Sequence, residues 1–314
     1  MSNGPQRDQR ERLAYQAVGR KGGCKYCGSE RVTKYGRKRG VQVLRCKECR
    51  HTFEANGRLP KMRTPTPVIA SGLKAYVDGL SYKRAGQNIA VPRSKSTVWR
   101  WLRKYAPLVR GFTDSFRADV SDTWHADETA INIAGVHAWT WFAEDGGTRL
   151  IMSSLVTPWG RTEEHAVRLF REAKAISRTR PSRIVTDKLP AYIQGIRKNF
   201  YTNTQGRLHL GRIHFTQGPN NNLIERLNGS FKDRTGSMRG FKTAEGAEAF
   251  SHAFVVQYDF LRGHESLDGG TPAVAAGIRL PFEDGWGDLA RWATWWANAA
   301  SRHFVNAADV CRTD

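Results

Sequence analysis

No apolar run in the 314-residue sequence approaches the roughly 18 residues needed to span a bilayer. The chain opens Met1-Ser2-Asn3-Gly4 and continues with alternating charges, unlike the basic, apolar and small-residue succession of a signal peptide. Acidic residues are scarce: 29 Asp and Glu stand against 50 Lys and Arg, a formal net charge of +21 with pI near 10.2. Cysteine is scarce too, five in all. Four of the five form one patterned set and Cys311 stands alone, which suits a reducing compartment and thiolate–metal chemistry better than a disulfide framework. A basic amphipathic helix with a bulky apolar face is lacking, so an anionic membrane surface is set aside as a partner. Nucleic acid is then the expected polyanion for so basic a chain. Hydrophobic residues make up 39%, ordinary to slightly low, and the length allows two or three domains.

The charge is uneven. Residues 1–65 hold 17 Lys and Arg against 5 Asp and Glu, a net +12 and more than half of the total. Residues 1–20 are polar, with Leu13, Ala14, Tyr15 and Val18 as their apolar cluster, and read as an N-terminal arm or frayed helix. Residues 21–57 contain Cys24-Lys25-Tyr26-Cys27, then 18 residues, then Cys46-Lys47-Glu48-Cys49. Two such knuckles aim four thiolates at one point and form a strong zinc-ribbon signal. Structural Zn²⁺ on Cys24, Cys27, Cys46 and Cys49 would supply folding free energy that so short a module cannot find in its own core. Between the knuckles, residues 31–36 and 41–45 alternate like hairpin strands around Gly36-Arg37-Lys38-Arg39-Gly40, so Arg37, Lys38 and Arg39 are candidate phosphate contacts.

Residues 58–108 carry helical periodicity. Val68, Ile69, Leu73, Tyr76 and Val77 follow Pro65 and Pro67, a second short helix spans about 81–89, and Ser94 or Ser96 caps a third with Val98, Trp101, Leu102 and Tyr105. Arg93, Lys95, Arg100, Arg103 and Lys104 on or around the last one suit a DNA-binding helix-turn-helix. A plain bundle with a basic face is the competing reading. Residues 109–120 read as a linker.

Strands dominate after that. Residues 123–133 form one strand with a possible break, 136–142 a second, Glu144-Asp145-Gly146-Gly147 a hairpin turn, and 149–157 a third. A helix over 163–177, a short strand at 184–186, a helix over 190–198 and a strand within 206–216 follow. Asn220-Asn221-Asn222 then caps a helix in which Leu223, Ile224, Leu227 and Phe231 share one arc, while Glu225 and Lys232 lie two turns apart on the other side. The class is α/β, a mixed sheet flanked by helices. Asp127 and Asp187 at strand ends, with Glu225 on a later helix, have the layout of a carboxylate cluster for two hard metal ions. Asp122, Glu128 and Asp145 compete with Asp127, and strand alternation sends Asp127 and Glu128 to opposite faces. Asp187 could instead cap the helix beginning at Pro190. His125 and His214 read as supporting or core residues, and Trp139 and Trp141 as core.

Asp127, Asp187 and Glu225 in this order resemble the DDE transposases of insertion sequences, which share an RNase H-like fold with retroviral integrases. The wording agrees at Trp124-His125-Ala126-Asp127-Glu128-Thr129, Val185-Thr186-Asp187-Lys188-Leu189-Pro190-Ala191-Tyr192 and Asn222-Leu223-Ile224-Glu225-Arg226. So do Met238-Arg239-Gly240-Phe241-Lys242, the segment 261–267, and Thr271-Pro272-Ala273; Gly263 stands where many members have Pro. The likeness covers about residues 21–280 and selects Asp127 among its competitors. It implies a catalytic domain over 121–280, two Mg²⁺ (or Mn²⁺) ions on Asp127, Asp187 and Glu225, and Lys232 on DNA phosphate. It implies binding of the element's terminal inverted repeats, strand nicking, and 3′-hydroxyl transfer into target DNA by a homodimer or larger synaptic complex. The expected location is cytoplasmic, on the nucleoid. A catalytically silent DNA-binding regulator and an RNase H-like nuclease are the alternatives. The resemblance does not reach residues 281–314, a Trp-rich, partly helical tail expected to dock on the catalytic domain or a second subunit.

Overall fold

The computed structural model describes residues 4–20, 22–187, 189–200, 209–211 and 221–310. The chain divides into two units, Met1–Phe116 with Leu280–Asp314, and Arg117–Arg279.

The first unit holds the small sheet β1 (Val32–Lys38), β2 (Val41–Cys46) and β3 (Thr52–Glu54), antiparallel in that order. Cys24, Cys27, Cys46 and Phe53 form its core. The turn is tighter than the expected Gly36–Gly40. Gly36 sits at an irregularity inside β1, and the chain reverses on Arg39 and Gly40 alone, with φ of 50° and 79°. Two successive positive φ values are those of the hairpin turn whose twist matches its strands.

Helices α1 (Gly4–Val18), α2 (Thr66–Val77), α3 (Tyr82–Gln87) and α4 (Lys95–Thr113) complete the front of the chain. Ser81 caps α3 by accepting from the Arg84 N–H, and Gly86 lets α3 approach the next turn, where a Cβ would lie 2.3 Å from the Arg93 carbonyl. The expected linker at 109–120 is corrected. Val109, Phe112 and Phe116 continue the spacing of Val98, Trp101, Leu102 and Tyr105, and all are buried, so α4 runs on to Thr113. Residues 1–20 are also more than an arm. Leu13, Ala14 and Ala17 are buried, α1 packs on the C-terminal helix, and Trp296 donates its indole N–H to the Arg10 carbonyl at 3.3 Å. That helix, Trp286–Val310, also meets α2 and α4, so the tail belongs with the first unit rather than with Arg117–Arg279.

The second unit is built on β4 (Thr123–Ile133), β5 (Val136–Asp145), β6 (Ile151–Thr157), β7 (Arg183–Thr186) and β8 (His209–Gly211). Their order is β6-β5-β4-β7-β8, antiparallel through β4 and parallel from β4 to β8. β4 shows no break: every residue from Trp124 to Ile133 pairs with β5, which runs through the expected turn to Asp145. Helices α5 (Glu163–Ile176) and α6 (Pro190–Phe200) pack together, with Trp141 of β5 against Tyr192 of α6 at 5.5 Å. Helices α7 (Asn222–Gly236) and α8 (Ala244–Val256) meet the neighbouring strand residue Phe142 through Phe231 at 5.1 Å and Phe254 at 6.3 Å. Successive strand residues point to opposite faces, so the sheet is covered by helices on both. The expected helix over 243–261 is α only to Val256. It then widens into a π turn, Gln257–Leu261, that buries Tyr258, Asp259 and Phe260, and Asp259 accepts the Ile151 N–H at 3.0 Å. The short α9 (Pro272–Ala275) follows, and the C-terminal helix is α10.

The expected Asn cap of α7 forms otherwise. Asn221 stands at the cap without a side-chain hydrogen bond, its carbonyl accepting the Glu225 N–H at 3.0 Å. Pro219, Asn220, Lys188, His214 and Cys311, and most of the strand expected in 206–216, lie outside the described residues.

Candidate active site

Parallel pairing of β4 with β7 matches Trp124 to Ile184, His125 to Val185 and Ala126 to Thr186. The next residue along each chain is Asp127 and Asp187, side by side at the carboxyl end of β7. Neighbouring strands lie about 4.8 Å apart, so the backbone alone brings these two carboxylates together. Oxygens of Asp127, Glu128 and Asp187 all lie within 4.8 Å of one another.

Asp127 and Glu128 do point to opposite faces. Asp127 turns toward α7, where Asn228 donates from Nδ2 to its Oδ2 at 2.8 Å. Glu128 turns toward α6, accepting the Tyr192 hydroxyl on Oε2 at 2.6 Å and an Arg161 N–H on Oε1 at 2.8 Å. Alternation therefore does not keep Glu128 out of the cluster, although both of its oxygens are engaged. The other competitors are taken up elsewhere: Asp122 accepts from Ser182, and Asp145 from Ser121 and Thr148.

Glu225 lies on α7 one turn before Asn228, exposed and outside the 4.8 Å group. Ile224, Leu227, Asn228 and Phe231 are the buried edge of the helix. Glu225 is nevertheless close enough for Asp127 to feel its charge. Asp127 is pushed up to about 7, first by burial, then by the charges of Glu128 and Asp187, with Glu225 adding to them. Such crowding is relieved by a bound cation, and carboxylate oxygens are the donors Mg²⁺ and Mn²⁺ accept. Lys232 is exposed two turns beyond Glu225. His125 is buried, its Nδ1 unpartnered, and burial pushes it down to about 4, so the ring is neutral near pH 7.

In the first unit, Cys24 Sγ and Cys49 Sγ lie 3.5 Å apart, and Cys27 Sγ and Cys46 Sγ 3.6 Å. A tetrahedron with Zn–S bonds of about 2.3 Å has edges of about 3.8 Å, so the four sulfurs fit Zn²⁺ closely. A hydrogen bond from the Cys24 thiol pulls Cys27 down to about 4, while burial pushes Cys49 up to about 11.

The basic candidates fall on two elements of that unit. Lys95, Arg100, Arg103 and Lys104 are exposed on α4, Arg103 resting over the Trp99 ring at 4.8 Å. Arg93 precedes the helix, half-buried, with Nε 3.5 Å from Thr64 Oγ1. Arg37, Lys38 and Arg39 are exposed at the end of the β1–β2 hairpin.

Sequence reasoning missed Asn228, Arg161 and Tyr192, and set Glu128 aside. Asn228 carried a signal, since it lies three residues after Glu225, one helical turn on. Arg161 and Tyr192 carried none, because each meets Glu128 only through the tertiary fold.

The sequence matches the family model described as a DDE domain over residues 121–264. No curated protein matches. Among solved structures, the chain is similar to the HTLV-2 integrase catalytic core domain in complex with magnesium, at 17% identity and TM-score 0.38, covering 51% of this chain and 99% of that one. It is similar to a chain of the simian T-cell lymphotropic virus intasome in complex with PP2A regulatory subunit B56 gamma, at 18% identity and TM-score 0.38 over 53% of this chain. It spans 58% of that chain's length, less than two thirds. A chain of the Mos1 strand transfer complex is similar at 11% identity and TM-score 0.33, with 78% and 81% covered. The DDE-domain match thus covers a little under half of the chain, all of it within Arg117–Arg279.

Proposed function

We propose that the protein is the transposase of an insertion sequence, acting on the element's terminal inverted repeats and on target DNA in the cytoplasm, on the nucleoid. The observation that carries this reading is the meeting of Asp127, within β4, and Asp187, just past the end of β7, with Glu225 near enough to raise Asp127. Asp127 and Asp187 would hold the metal ions, with Glu225 on α7 completing the set. When bound, two Mg²⁺ or Mn²⁺ ions supply the charge that activates an attacking hydroxyl and stabilises a leaving 3′-oxygen. Asn228 holds Oδ2 of Asp127. Arg161 and Tyr192 hold Glu128 by both oxygens, which fixes its charge beside the site rather than in it. Lys232 serves DNA phosphate, since an ammonium would repel the metal ions.

End recognition falls to the first unit. The cations on α4 are placed for a DNA groove and those of the hairpin for phosphates, with the four cysteines holding structural Zn²⁺. Two DNA ends must be held together, so the working form is a dimer or larger.

Strand transfer on cognate ends tests the reading, comparing the parent with Asp187→Asn. The parent nicks the end and joins it, and the variant does neither. Equal joining by both would remove the metal mechanism, and hydrolysis without joining would make the protein a nuclease. DNA binding by a parent that neither nicks nor joins would make it a regulator.

A further inference from the structure

The loop joining β6 to α5, residues 158–162, carries the most exposed of the large hydrophobic side chains described. Trp159 has 75% of its surface open. An indole left in water forgoes about as much burial free energy as any side chain offers. Floppiness of the loop does not account for it, because the loop is pinned on both sides. Before it, Thr157 pairs with Trp139, and its hydroxyl accepts the Trp141 indole N–H at 2.9 Å. After it, Thr162 and His165 form a reciprocal cap on α5. Gly160, at φ of 62°, sets the bend between them.

Arg161, two residues on, ties this loop to the carboxylates. One of its nitrogens bonds Glu128 at 2.8 Å, and its guanidinium lies over the Trp139 ring, 4.3 Å from the centroid. That side chain is held on two sides and is still 39% exposed. A planar fork held in this way is suited to a phosphate. Glu128 is itself within 4.8 Å of Asp127 and Asp187. Trp159 is thus two residues from the side chain that ties this loop to Glu128.

We infer that Trp159 and Arg161 form a nucleotide-holding subsite beside the carboxylates, the indole stacking on an unpaired base and the guanidinium taking the adjoining phosphate. This rests on the reading that the site works on DNA ends, and adds to it that the strand beside the reaction is held single-stranded. Stacking on an indole tolerates any base, so the subsite reads the absence of pairing rather than sequence. Nucleic acid is favoured over a protein partner because the indole's neighbour is a positioned cation next to a phosphodiester site, not a further apolar surface.

The test uses the full chain with zinc retained and two probes. One is a duplex with a short single-stranded 3′ tail bearing 2-aminopurine, the other the same duplex with blunt ends. The parent quenches the 2-aminopurine and prefers the tailed probe. Trp159→Ala loses the quenching and binds the tail about 5- to 100-fold less tightly, while its blunt-duplex affinity is unchanged. Trp159→Phe keeps most of both. Arg161→Ala lowers the salt-dependence slope for tailed DNA by about one. Equal quenching and tail affinity in Trp159→Ala would overturn the inference and leave the proposed function standing. A change confined to self-association would overturn it in favour of a protein contact. A parent that binds neither probe removes the proposed function and this inference with it. Trp159 is exposed, so its replacement leaves the fold intact.

Discussion

Asp127→Asn should make the metal-free protein more stable at pH 8, and the gain should vanish in acid. The carboxyl is pushed from its ordinary 3.8 up to about 7 by burial and by the charges of Glu128, Asp187 and Glu225. A carboxyl whose folded value lies above its unfolded one keeps its proton in the fold after the unfolded chain has released it. Between pH 3.8 and about 7 the folded state therefore binds more protons, and stability falls as pH rises through that window. Each unit is worth about 1.4 kcal/mol, which sets a ceiling of about 4 kcal/mol. The side chain is only half-buried, and discounting for solvent leaves about 2–4 kcal/mol. An asparagine there carries no charge and can still accept from Asn228. Urea unfolding of parent and variant without added divalent metal, at several pH values, reads the difference. The variant should exceed the parent by about 2–4 kcal/mol at pH 8 and match it below pH 4. Added Mg²⁺ should stabilise the parent and leave the variant unmoved. A variant no more stable than the parent at pH 8, or one equally favoured at every pH, would refute the crowding argument.

Other consequences are independent of that one. Phe231→Ala empties a site with no exposed surface, where the ring meets Phe142, Phe250 and Phe254 at 5.0–5.7 Å, and should cost about 3–5 kcal/mol in denaturant unfolding. A loss under about 1 kcal/mol would mean α7 is not seated as described. Cys46→Ser should abolish stoichiometric zinc in metal analysis and unfold residues 21–57, since the ribbon's core consists largely of the cysteines. Retained zinc and unchanged far-UV dichroism would contradict that. Arg100→Ala should lower the slope of log affinity against log salt for end DNA by about one, and an unchanged slope would take α4 out of the contact.

The sheet and its order of elements could be read from the sequence because they depend on local alternation and turn residues. Asp187 was legible for the same reason, since it follows a short apolar strand, whereas Asp127, expected at a strand end, lies in the middle of the eleven-residue β4. The long-range features were not. Arg161 reaches Glu128 across 33 residues and Tyr192 across 64, and neither carries a local pattern that names its partner. The role of the first twenty residues was hidden because the surface that covers Ala14 and Ala17 belongs to α10, nearly 300 residues later. The end of α4 was misplaced by reading residues 109–120 as a linker, although the apolar spacing runs through Pro107 to Phe112.

The central claim is that acids far apart in sequence hold divalent metal together. Mn²⁺ binding, followed by electron paramagnetic resonance on the zinc-loaded full chain, tests it without requiring DNA. The account expects bound Mn²⁺ in the parent, loss of it in Asp127→Asn and Asp187→Asn, and weakened binding in Glu225→Gln. Equal binding by the parent and all three variants would contradict it.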